Sequence, residues 1–411
     1  MSAIETLYNI HITGVKTDLK QYSIDNRDIV SFTFVEDIFS MLSMAKFQFI
    51  DRKGVQQALG IRGKELVNIL YGPDPAGNDP TKQKALTFMN YDMTFKSELQ
   101  TTGSGVNQLT MNMVDPLFIP MHFQKYSKSW KEEIGTNIIK DVCKNMIGSG
   151  KSEMEFNMFE ECKESFDFLM SYWSPAEAIK WLLRRMTGSE TGAPGYLFFY
   201  NTGGDKGGYN LISLSNLLNK SPDPKKYFFT STNPEDYYDE NRILAHKVWP
   251  PSNQALSKLP GSIKASPDFM TKDMRENICF DSHQNEQYKS MFHGSDPIYA
   301  PVNSSNTKVD CASGDYSSLY TQYGSDWIKT YMKQMQLDLY VKGHAKRYAG
   351  MLIDVDWYGV KEGSSNENYT GRYLVKSITH QFCPSRQPQY RQLLVCVKTA
   401  FKDTVTGGAL K

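Results

Sequence analysis

Short runs in which apolar and polar residues alternate dominate the first 120 or so positions of the sequence. Clear examples are 29–35, 44–51 and 107–114, and turn residues such as those at 52–54 separate one run from the next. A period of two puts every second side chain on the same face of a strand, so this pattern predicts β-strands with one buried face. Several such strands in succession are typical of an all-β barrel or sandwich.

Between about residue 125 and residue 190 the apolar spacing changes to that of a helix. The first predicted helix has its stripe at Ile134, Ile138, Ile139, Val142 and Met146, and Gly148 is expected to end it. A second helix is predicted with Ser174 as N-cap, Pro175 at the first helical position and Glu177 at the capping-box position. Its stripe is Ile179, Leu182, Leu183 and Met186, and Gly188 is expected to end it.

The rest of the chain returns to strands after a hairpin and an irregular stretch. Residues 195–200 and 209–214 predict a hairpin around a glycine-rich loop. Residues 215–330 are rich in Pro, Asn, Ser and Asp and predict loops and short strands, followed by a helix from about Ser325 to Gln334. Alternating runs then resume at 337–341, 351–357, 372–382 and 390–401. The predicted order is therefore β, then α, then a second β set interrupted by an insertion.

Composition argues against several classes of protein. The 46 Lys and Arg against 45 Asp and Glu give a net charge of +1, so the chain has no overall attraction for nucleic acid or anionic lipid. An aromatic content of 13% argues against disorder. No CxxC pair occurs among Cys143, Cys162, Cys279, Cys311, Cys383 and Cys396, so free buried thiols in a reducing cytoplasm are expected. No signal peptide and no apolar stretch of about 18 residues is found, so no membrane insertion is expected.

The sequence shows none of the common catalytic motifs. It has no HExxH, no Walker loop, no dinucleotide fingerprint and no nucleophile elbow after a strand, and its seven histidines never pair at i, i+4. Asp354 and Asp356 resemble a metal-binding DxD triplet. We favour a simpler interpretation, in which Ile353, Val355 and Trp357 fill the buried face of a strand and both carboxylates lie on the wet face. A pair of glycosidase carboxylates distant in the sequence stays open as an alternative.

Three segments of the chain carry a family resemblance. Residues 166–182, with Trp173, Ser174, Pro175, Glu177 and Trp181, are followed by an aromatic strand at 195–200 with Gly195, Tyr196 and Phe198. Residues 372–382, with Tyr373, Val375 and His380, are followed by a turn and a last strand at 390–399. Residues 42–54 form an early strand and its turn. These segments resemble the central baseplate hub protein of contractile-tailed phages and related contractile injection systems.

The resemblance implies an α+β, β-rich fold with two tube-like antiparallel β-barrel domains and helical and irregular insertions. The predicted domains are a first barrel at 1–122, a mainly helical domain at 123–193, a split second barrel at 194–250 plus 335–403, an irregular inserted region at 251–334 with a helix near its end, and a C-terminal tail at 404–411. The eleven residues named with the resembling segments are then structural positions, and no catalytic, cofactor-binding or metal-binding residue is predicted.

The resemblance also implies a function. The chain would be a virion structural protein that forms a homotrimer, adapts the six-fold tail tube to the three-fold central spike and lines the channel used for genome ejection. Its partners would be the tail tube or tube-initiator protein, the spike protein and other inner baseplate proteins, with DNA only as passing cargo. It would assemble in the host cytoplasm and reside in the tail baseplate. The alternatives are a tail-associated cell-wall or polysaccharide hydrolase and a peripheral baseplate or receptor-binding protein.

Overall fold

The computed structural model describes residues 6–13, 21–72, 84–98, 106–148, 156–190, 194–203, 207–229, 239–249, 264–265, 280–281, 321, 325, 335–357, 369–386 and 388–398. The strands of the N-terminal part are β1 (Thr6–Thr13), β2 (Gln21–Ile24), β3 (Ile29–Asp37), β4 (Met44–Ile50), β5 (Leu66–Gly72), β6 (Lys84–Glu98) and β7 (Val106–Val114). Those of the middle part are β8 (Tyr126–Ile134), β9 (Phe156–Phe159), β10 (Ser165–Trp173), β11 (Tyr196–Asn201) and β12 (Gly208–Ser213). The remaining strands are β13 (Tyr227–Phe228), β14 (Ile243–Trp249), β15 (Lys264–Ala265), β16 (Phe280–Asp281), β17 (Met335–Lys342), β18 (Leu352–Asp356), β19 (Gly371–Phe382) and β20 (Tyr390–Lys398). The α-helices are α1 (Val55–Leu59), α2 (Phe118–His122), α3 (Gly135–Val142), α4 (Pro175–Leu183) and α5 (Leu214–Leu218).

Most of the described strands belong to one large sheet. Its order is β14-β17-β20-β19-β3-β4-β7-β6-β5-β1-β2, with β18 and β13 attached beside β19. All neighbours are antiparallel except β13 and β18. The N-terminal and C-terminal strand sets meet at β3 and β19, which pair from Ser377 opposite Asp37 to Phe382 opposite Phe32. The predicted β-rich, antiparallel fold class is confirmed, and the two strand sets share a continuous backbone ladder.

The N-terminal strand set curls around its own core. Four steps across the sheet separate β3 from β5, which in a flat sheet would be about 19 Å at the usual strand spacing. The rings of Phe34 on β3 and Tyr71 on β5 nevertheless lie 5.8 Å apart, and Phe34 also lies 6.3 Å from Phe88 on β6. Because side chains from distant strands meet in one cluster, the sheet must bend into a barrel-like shape around them.

The C-terminal strand set closes into a ring. The pairing runs β14-β17-β20-β19-β18-β13, and an isolated bridge between Phe228 on β13 and Arg242, just before β14, joins the two ends. Alternate side chains of these strands fill a second core, which includes Tyr227, Val355 and Tyr373. The ring is the second barrel of the chain.

The region predicted to be mainly helical, 123–193, also contains β-structure. Strands β8 and β10 pair with each other as a two-stranded sheet, beside α3 and α4. The reason is visible at Phe166, Phe168 and Met170, which lie at alternate positions and face the helices, while the residues between them are exposed. This alternation lies between two segments with helical spacing, and those two segments led to the prediction of a mainly helical region. The domain boundaries themselves stay a prediction.

The hairpin β11–β12 has a different place from the one predicted. It pairs through β12 with the parallel strand β9 in a separate three-stranded sheet, and it does not extend the second barrel. Both faces of β11 are covered, which explains its unbroken apolar run. Tyr196 and Phe198 face the helical core, and the ring of Phe199 lies against Gly350, whose φ is +96° and where an added Cβ would meet the ring at 3.3 Å.

The helices confirm the predicted start signals and correct one predicted end. Helix α4 begins with Ser174 as N-cap and Pro175 in its first turn, and Ser174 and Glu177 form both hydrogen bonds of a capping box. It ends at Leu183 and not at Gly188, because the backbone at 187 and 188 forms β-bridges with Pro194 and Cys162. Helix α3 continues into a π-helical turn, Cys143–Ile147, and Gly148 follows it as predicted.

Some predictions fall partly or wholly outside the described residues. The inserted region 251–334 is represented by β15, β16 and the single helical residues Thr321 and Ser325, and the tail at 404–411 lies outside the described residues. Among the cysteines that are described, Cys143, Cys162, Cys383 and Cys396 are free thiols. In the described ranges no helix has the length and apolar character needed to cross a membrane.

Candidate functional site

The two strand sets are held together by a buried cluster of polar side chains, here called the junction network. Its members are Glu36 on β3, His380 on β19, Tyr390 and Gln392 on β20, and Arg347 in the loop between β17 and β18. All five are at most 2% exposed. Buried polar groups at this density are costly unless they satisfy each other, so their hydrogen bonds decide whether the junction is stable.

Glu36 is the point at which three parts of the chain meet. Its Oε1 accepts a hydrogen bond from the backbone N–H of Thr202 at 3.0 Å, and its Oε2 accepts one from the N–H of Ala349 at 3.0 Å. The same carboxylate lies 3.4 Å from Nε2 of His380. One side chain of β3 therefore fixes the β11–β12 hairpin, the β17–β18 loop and β19.

The hydrogen bonds around His380 select its tautomer. Gln392 accepts from the backbone N–H of His344 and from Arg347 through Oε1, which leaves its Nε2 amide to donate towards His380 Nδ1 at 3.2 Å. The Tyr390 hydroxyl lies 2.7 Å from the same Nδ1. Because Nδ1 is surrounded by donors, the ring proton resides on Nε2 and faces Glu36. The imidazole also stacks on Phe34, with the ring centres 4.0 Å apart and the planes 7° from parallel.

Arg347 extends the network into the second barrel. Its guanidinium donates to the Tyr227 hydroxyl at 2.8 Å, to the Glu240 carbonyl at 2.6 Å and to Asn241 Oδ1 at 2.8 Å, besides Gln392 Oε1 at 2.9 Å. A planar fork of donors suits such a set of acceptors better than an ammonium group would. The guanidinium thus links β13, the residues just before β14, and β20 through hydrogen bonds to one buried charge.

The environment of the network shifts the pKa values of two of its members, His380 and Glu36, and of the neighbouring Tyr227. Burial lowers the pKa of His380, so the ring is neutral at neutral pH. Burial opposes ionisation of Glu36, but contact with His380 and the hydrogen bonds from Thr202 and Ala349 outweigh it and hold the carboxyl pKa below its usual value. Burial raises the pKa of Tyr227 and places it far above neutrality. The network therefore contains one carboxylate, one guanidinium and one neutral imidazole.

The lowered pKa of His380 predicts that the folded protein loses stability in mild acid. In the unfolded chain His380 has the ordinary histidine pKa of about 6.5, so below that pH it is protonated there while the folded ring stays neutral. The free energy of unfolding therefore falls as the pH drops. We expect the free energy of unfolding of His380→Gln to depend less steeply on pH between pH 6.5 and 5, with a slope smaller by up to about 1.4 kcal/mol per pH unit. The measurement is chemical denaturation at several pH values. Other histidines with lowered pKa values, His122 and His344, remain in both proteins. Equal slopes for the two proteins would contradict the prediction.

The predicted structural positions fall into two groups. Trp173, Ser174, Pro175, Glu177, Trp181, Gly195, Tyr196 and Phe198 all lie where β10, α4 and β11 meet around the helical core. The rings of Trp181 and Phe168 lie 4.9 Å apart in a tilted arrangement, and Phe198 stacks on Tyr209 with ring centres 5.6 Å apart. The hydroxyl of Tyr196 donates to the carbonyls of Glu160 and Glu161. The aromatic members of this group, Trp173, Trp181, Tyr196 and Phe198, pack in or against the helical core, whereas Glu177 is exposed and caps α4.

The second group lies on β19 and is divided between two environments. Tyr373 and Val375 point into the second barrel, where the Tyr373 hydroxyl donates to the Tyr369 carbonyl at 2.6 Å. His380 lies further along the strand, in the junction network. Sequence reasoning missed Glu36 and Arg347. The available signal for Glu36 was a carboxylate on the apolar face of an alternating strand, since Phe32, Phe34 and Glu36 share one face.

The network has the contacts of a structural joint. Glu36 and His380 are 0% exposed, so in this conformation no substrate reaches the acid–base pair. Among the described residues, no group of three or more His, Cys, Asp or Glu side chains is placed to hold a metal ion. Asp354 lies half-buried and pairs with Arg372 at 2.9 Å across β18 and β19, whereas Asp356 is exposed.

Comparison with solved structures identifies proteins of the same architecture. The 43 kDa tail protein of prophage MuSo2 from Shewanella oneidensis aligns with a TM-score of 0.54 at 11% identity, over 96% of this chain and 99% of that chain. A tail protein from Neisseria meningitidis aligns with a TM-score of 0.54 at 9% identity, over 98% of this chain and 99% of that chain. This chain shares the fold of phage tail proteins. No protein-family model and no curated protein matches the sequence.

Proposed function

We propose that this chain is a structural component of a phage tail baseplate, and specifically its central hub. The observation that carries the proposal is the arrangement of two barrels in one continuous sheet, with the buried junction network fixing one barrel to the other. Support comes from the likeness in fold to two tail proteins over nearly the full length of each chain. The hub would be part of the virion, assembled in the host cytoplasm.

Two rigidly joined barrels per chain suit an adaptor between different symmetries. Three copies would present six barrels, which can match a six-fold tail tube on one side while the trimer meets a three-fold spike on the other. A fixed joint is required for this, because six barrels form an even ring only when each pair keeps a constant relative position. The partners in this proposal are a second and third copy of the chain, a tube or tube-initiator protein, a spike protein and further inner baseplate proteins.

The end of the large sheet offers apolar surface for such an assembly. Among the described residues, β14 meets β13 through a single bridge at Arg242, so most of its length is an edge. Leu244 and Trp249 on β14 are each 45% exposed, and Tyr340 on the neighbouring strand β17 is 38% exposed. Exposed apolar side chains on an edge strand favour association, and a closed ring would cover them. The channel would let DNA pass as cargo, because strong binding of phosphate would hinder its exit.

The proposal assigns no catalytic role to the protein. The alternative of a cell-wall or polysaccharide hydrolase requires an accessible pair of carboxylates or a metal site. In the junction network the carboxylate of Glu36 contacts His380, and on β18 the carboxylate of Asp354 pairs with Arg372. A loss of turbidity when the purified protein is added to cell walls would favour the hydrolase.

The oligomeric state is the direct test of the hub proposal. We expect the purified protein to form a particle with three copies of the chain, since ring closure buries the exposed edge. Its mass should be three times the 46.9 kDa monomer mass when the protein is alone, plus the mass of the spike when the trimer forms in a complex with it. Multi-angle light scattering over a range of concentrations measures this mass. A monomer that persists at the highest concentration with the spike protein present would contradict the hub proposal.

A further inference from the structure

The two barrels of the chain are built on the same strand topology. Without the short β2, neighbouring described strands follow the order β3-β4-β7-β6-β5-β1 in the first barrel and β14-β17-β20-β19-β18-β13 in the second. When the six strands of each barrel are numbered along the chain, both orders read 2-3-6-5-4-1. They differ in that β13 runs parallel to β18, whereas β1 is antiparallel to β5. Strand β3 therefore corresponds to β14, and β6 corresponds to β19.

The contact between the barrels joins strands at two different positions of this topology. β3 of the first barrel pairs antiparallel with β19 of the second, over residues 32–37 and 377–382. This pairing occupies the β3 edge of the first barrel and the β19 edge of the second. Their equivalents are the β14 edge of the second barrel and the β6 edge of the first. These are the two edges that the same kind of contact would use between one chain and the next.

Both of these edges are open along most of their length. Strand β6 pairs with β5 over Lys84–Met89 and with β7 over Met89–Glu98. Among the described residues, no strand lies beside positions 92–98 on the side away from β7. Strand β14 pairs with β17, and on its other side the described strands offer only the bridge at Arg242. Such a row of backbone N–H and C=O groups is a template for another strand.

The strand directions suit pairing between these two edges. From β14 to β6 the large sheet has eight strands, and each is antiparallel to its neighbours. Because this number is even, β14 and β6 run in opposite directions, so they would meet antiparallel, as β19 meets β3. Seven strand spacings separate them within one chain, which is about 34 Å along the sheet. A contact between two different edges is heterologous, and its repetition closes a ring.

We propose that residues 92–98 of β6 in one copy form an antiparallel ladder with β14 of a neighbouring copy, in the way that β3 and β19 pair within the chain. Three such contacts join the sheets of three copies into one closed cylinder of strands. The inference rests on the proposed hub trimer and names the strands through which its copies meet. The strand β2, at the other end of the large sheet, is not the partner of β14, because it lies outside the repeated topology.

Photocrosslinking of the protein in complex with its spike partner tests the proposal. Thr94→p-benzoylphenylalanine places the probe at an exposed position of the β6 edge, and Gln21→p-benzoylphenylalanine places it at an exposed position of the competing strand β2. After irradiation, a denaturing gel separates crosslinked chains, and mass spectrometry locates the crosslink. We expect the Thr94 probe to give a band at twice the 46.9 kDa chain mass with a crosslink to residues 243–249. The Gln21 probe should give no crosslink to that segment.

Proline substitution supplies the second arm. Successive residues of an antiparallel strand direct their N–H groups to opposite sides, so of Met93→Pro and Thr94→Pro one removes a bond to β7 and the other blocks the open edge. We expect the variant that keeps the thermal stability of the unmodified protein to need an about tenfold higher concentration to form trimers, measured by light scattering. If neither variant folds, the crosslink decides.

The outcomes separate this inference from the hub proposal. A trimer in which the Thr94 probe gives no crosslink to 243–249, or in which the Gln21 probe gives it instead, overturns the inference and leaves the hub proposal standing. Two folded proline variants that form trimers as readily as the unmodified protein would also overturn it. A chain that stays monomeric with the spike protein present contradicts both.

Discussion

Glu36→Gln is expected to lower the free energy of unfolding by about 3–5 kcal/mol, because it breaks a fully buried charge network while leaving its other members in place. Each carboxylate oxygen accepts one backbone N–H, from Thr202 and from Ala349. An amide in the same position has only one oxygen, so its NH2 group would face a backbone donor and leave a buried N–H without an acceptor. The Nε2 proton of His380 would lose its negative neighbour as well.

The measurement is chemical denaturation at pH 7.5, followed both by far-UV circular dichroism and by tryptophan fluorescence. Glu161→Gln is the matched control, since Glu161 is exposed and its loss should change the free energy of unfolding by less than about 0.5 kcal/mol. Limited proteolysis tests the role of Glu36 in the junction directly. In Glu36→Gln a protease should cleave near residues 202 and 349 under conditions in which the barrels are still folded. A loss below about 1 kcal/mol, with unchanged proteolysis, would show that Glu36 does not hold the junction.

Local patterns in the sequence predicted much of the fold. The alternating runs at 29–35, 44–51 and 107–114 are strands β3, β4 and β7, because a period of two directly encodes one buried face. The capping box of α4 was equally visible, since all its atoms lie within four residues. The resemblance to baseplate hub proteins rested on such local segments, and the fold agrees with it.

The sequence could not reveal how these elements are combined. The hairpin β11–β12 has the strand pattern that was predicted, but β12 pairs with β9, whose residues lie 52 or 53 positions earlier in the chain. In the structure both faces of β11 are buried, which would not be so in the wall of the second barrel. A short apolar run in the sequence is compatible with both positions. Pairing between distant strands depends on tertiary packing, which a single sequence does not encode in a readable pattern.

The junction network was hidden for the same reason. Glu36 reaches Thr202 and Ala349 across separations of 166 and 313 residues. His380 was singled out because of a family resemblance, without any account of what it contacts. The structure supplies that account: a neutral imidazole packed on Phe34 whose Nε2 faces a buried carboxylate. Its position next to β3 makes it part of the joint between the two barrels.

Val355→Asp is expected to prevent folding altogether. Val355 is 2% exposed and lies in the second core, on a strand that pairs with β13 on one side and β19 on the other. An unpaired carboxylate there costs several kcal/mol, and the lost packing adds to it, against a total stability of about 5–15 kcal/mol for a typical domain. The expected result is insoluble protein with no recoverable trimer. Val355→Ala, which only removes two methyl groups, should fold with a loss of about 1–3 kcal/mol.

The matched control changes the two neighbouring carboxylates, Asp354→Asn together with Asp356→Asn. Asp356 is exposed, and the pair between Asp354 and Arg372 is about a quarter exposed on each side, so solvent screening limits its value to about 1 kcal/mol or less. Tail assembly and infectivity should therefore stay near normal. If the double variant assembled normal tails that had lost an enzymatic or metal-dependent step, the strand would carry chemistry and the structural proposal would fail. Soluble, trimeric Val355→Asp would instead show that this face of β18 is not the inside of a barrel, because only an open face accepts a charge at that position.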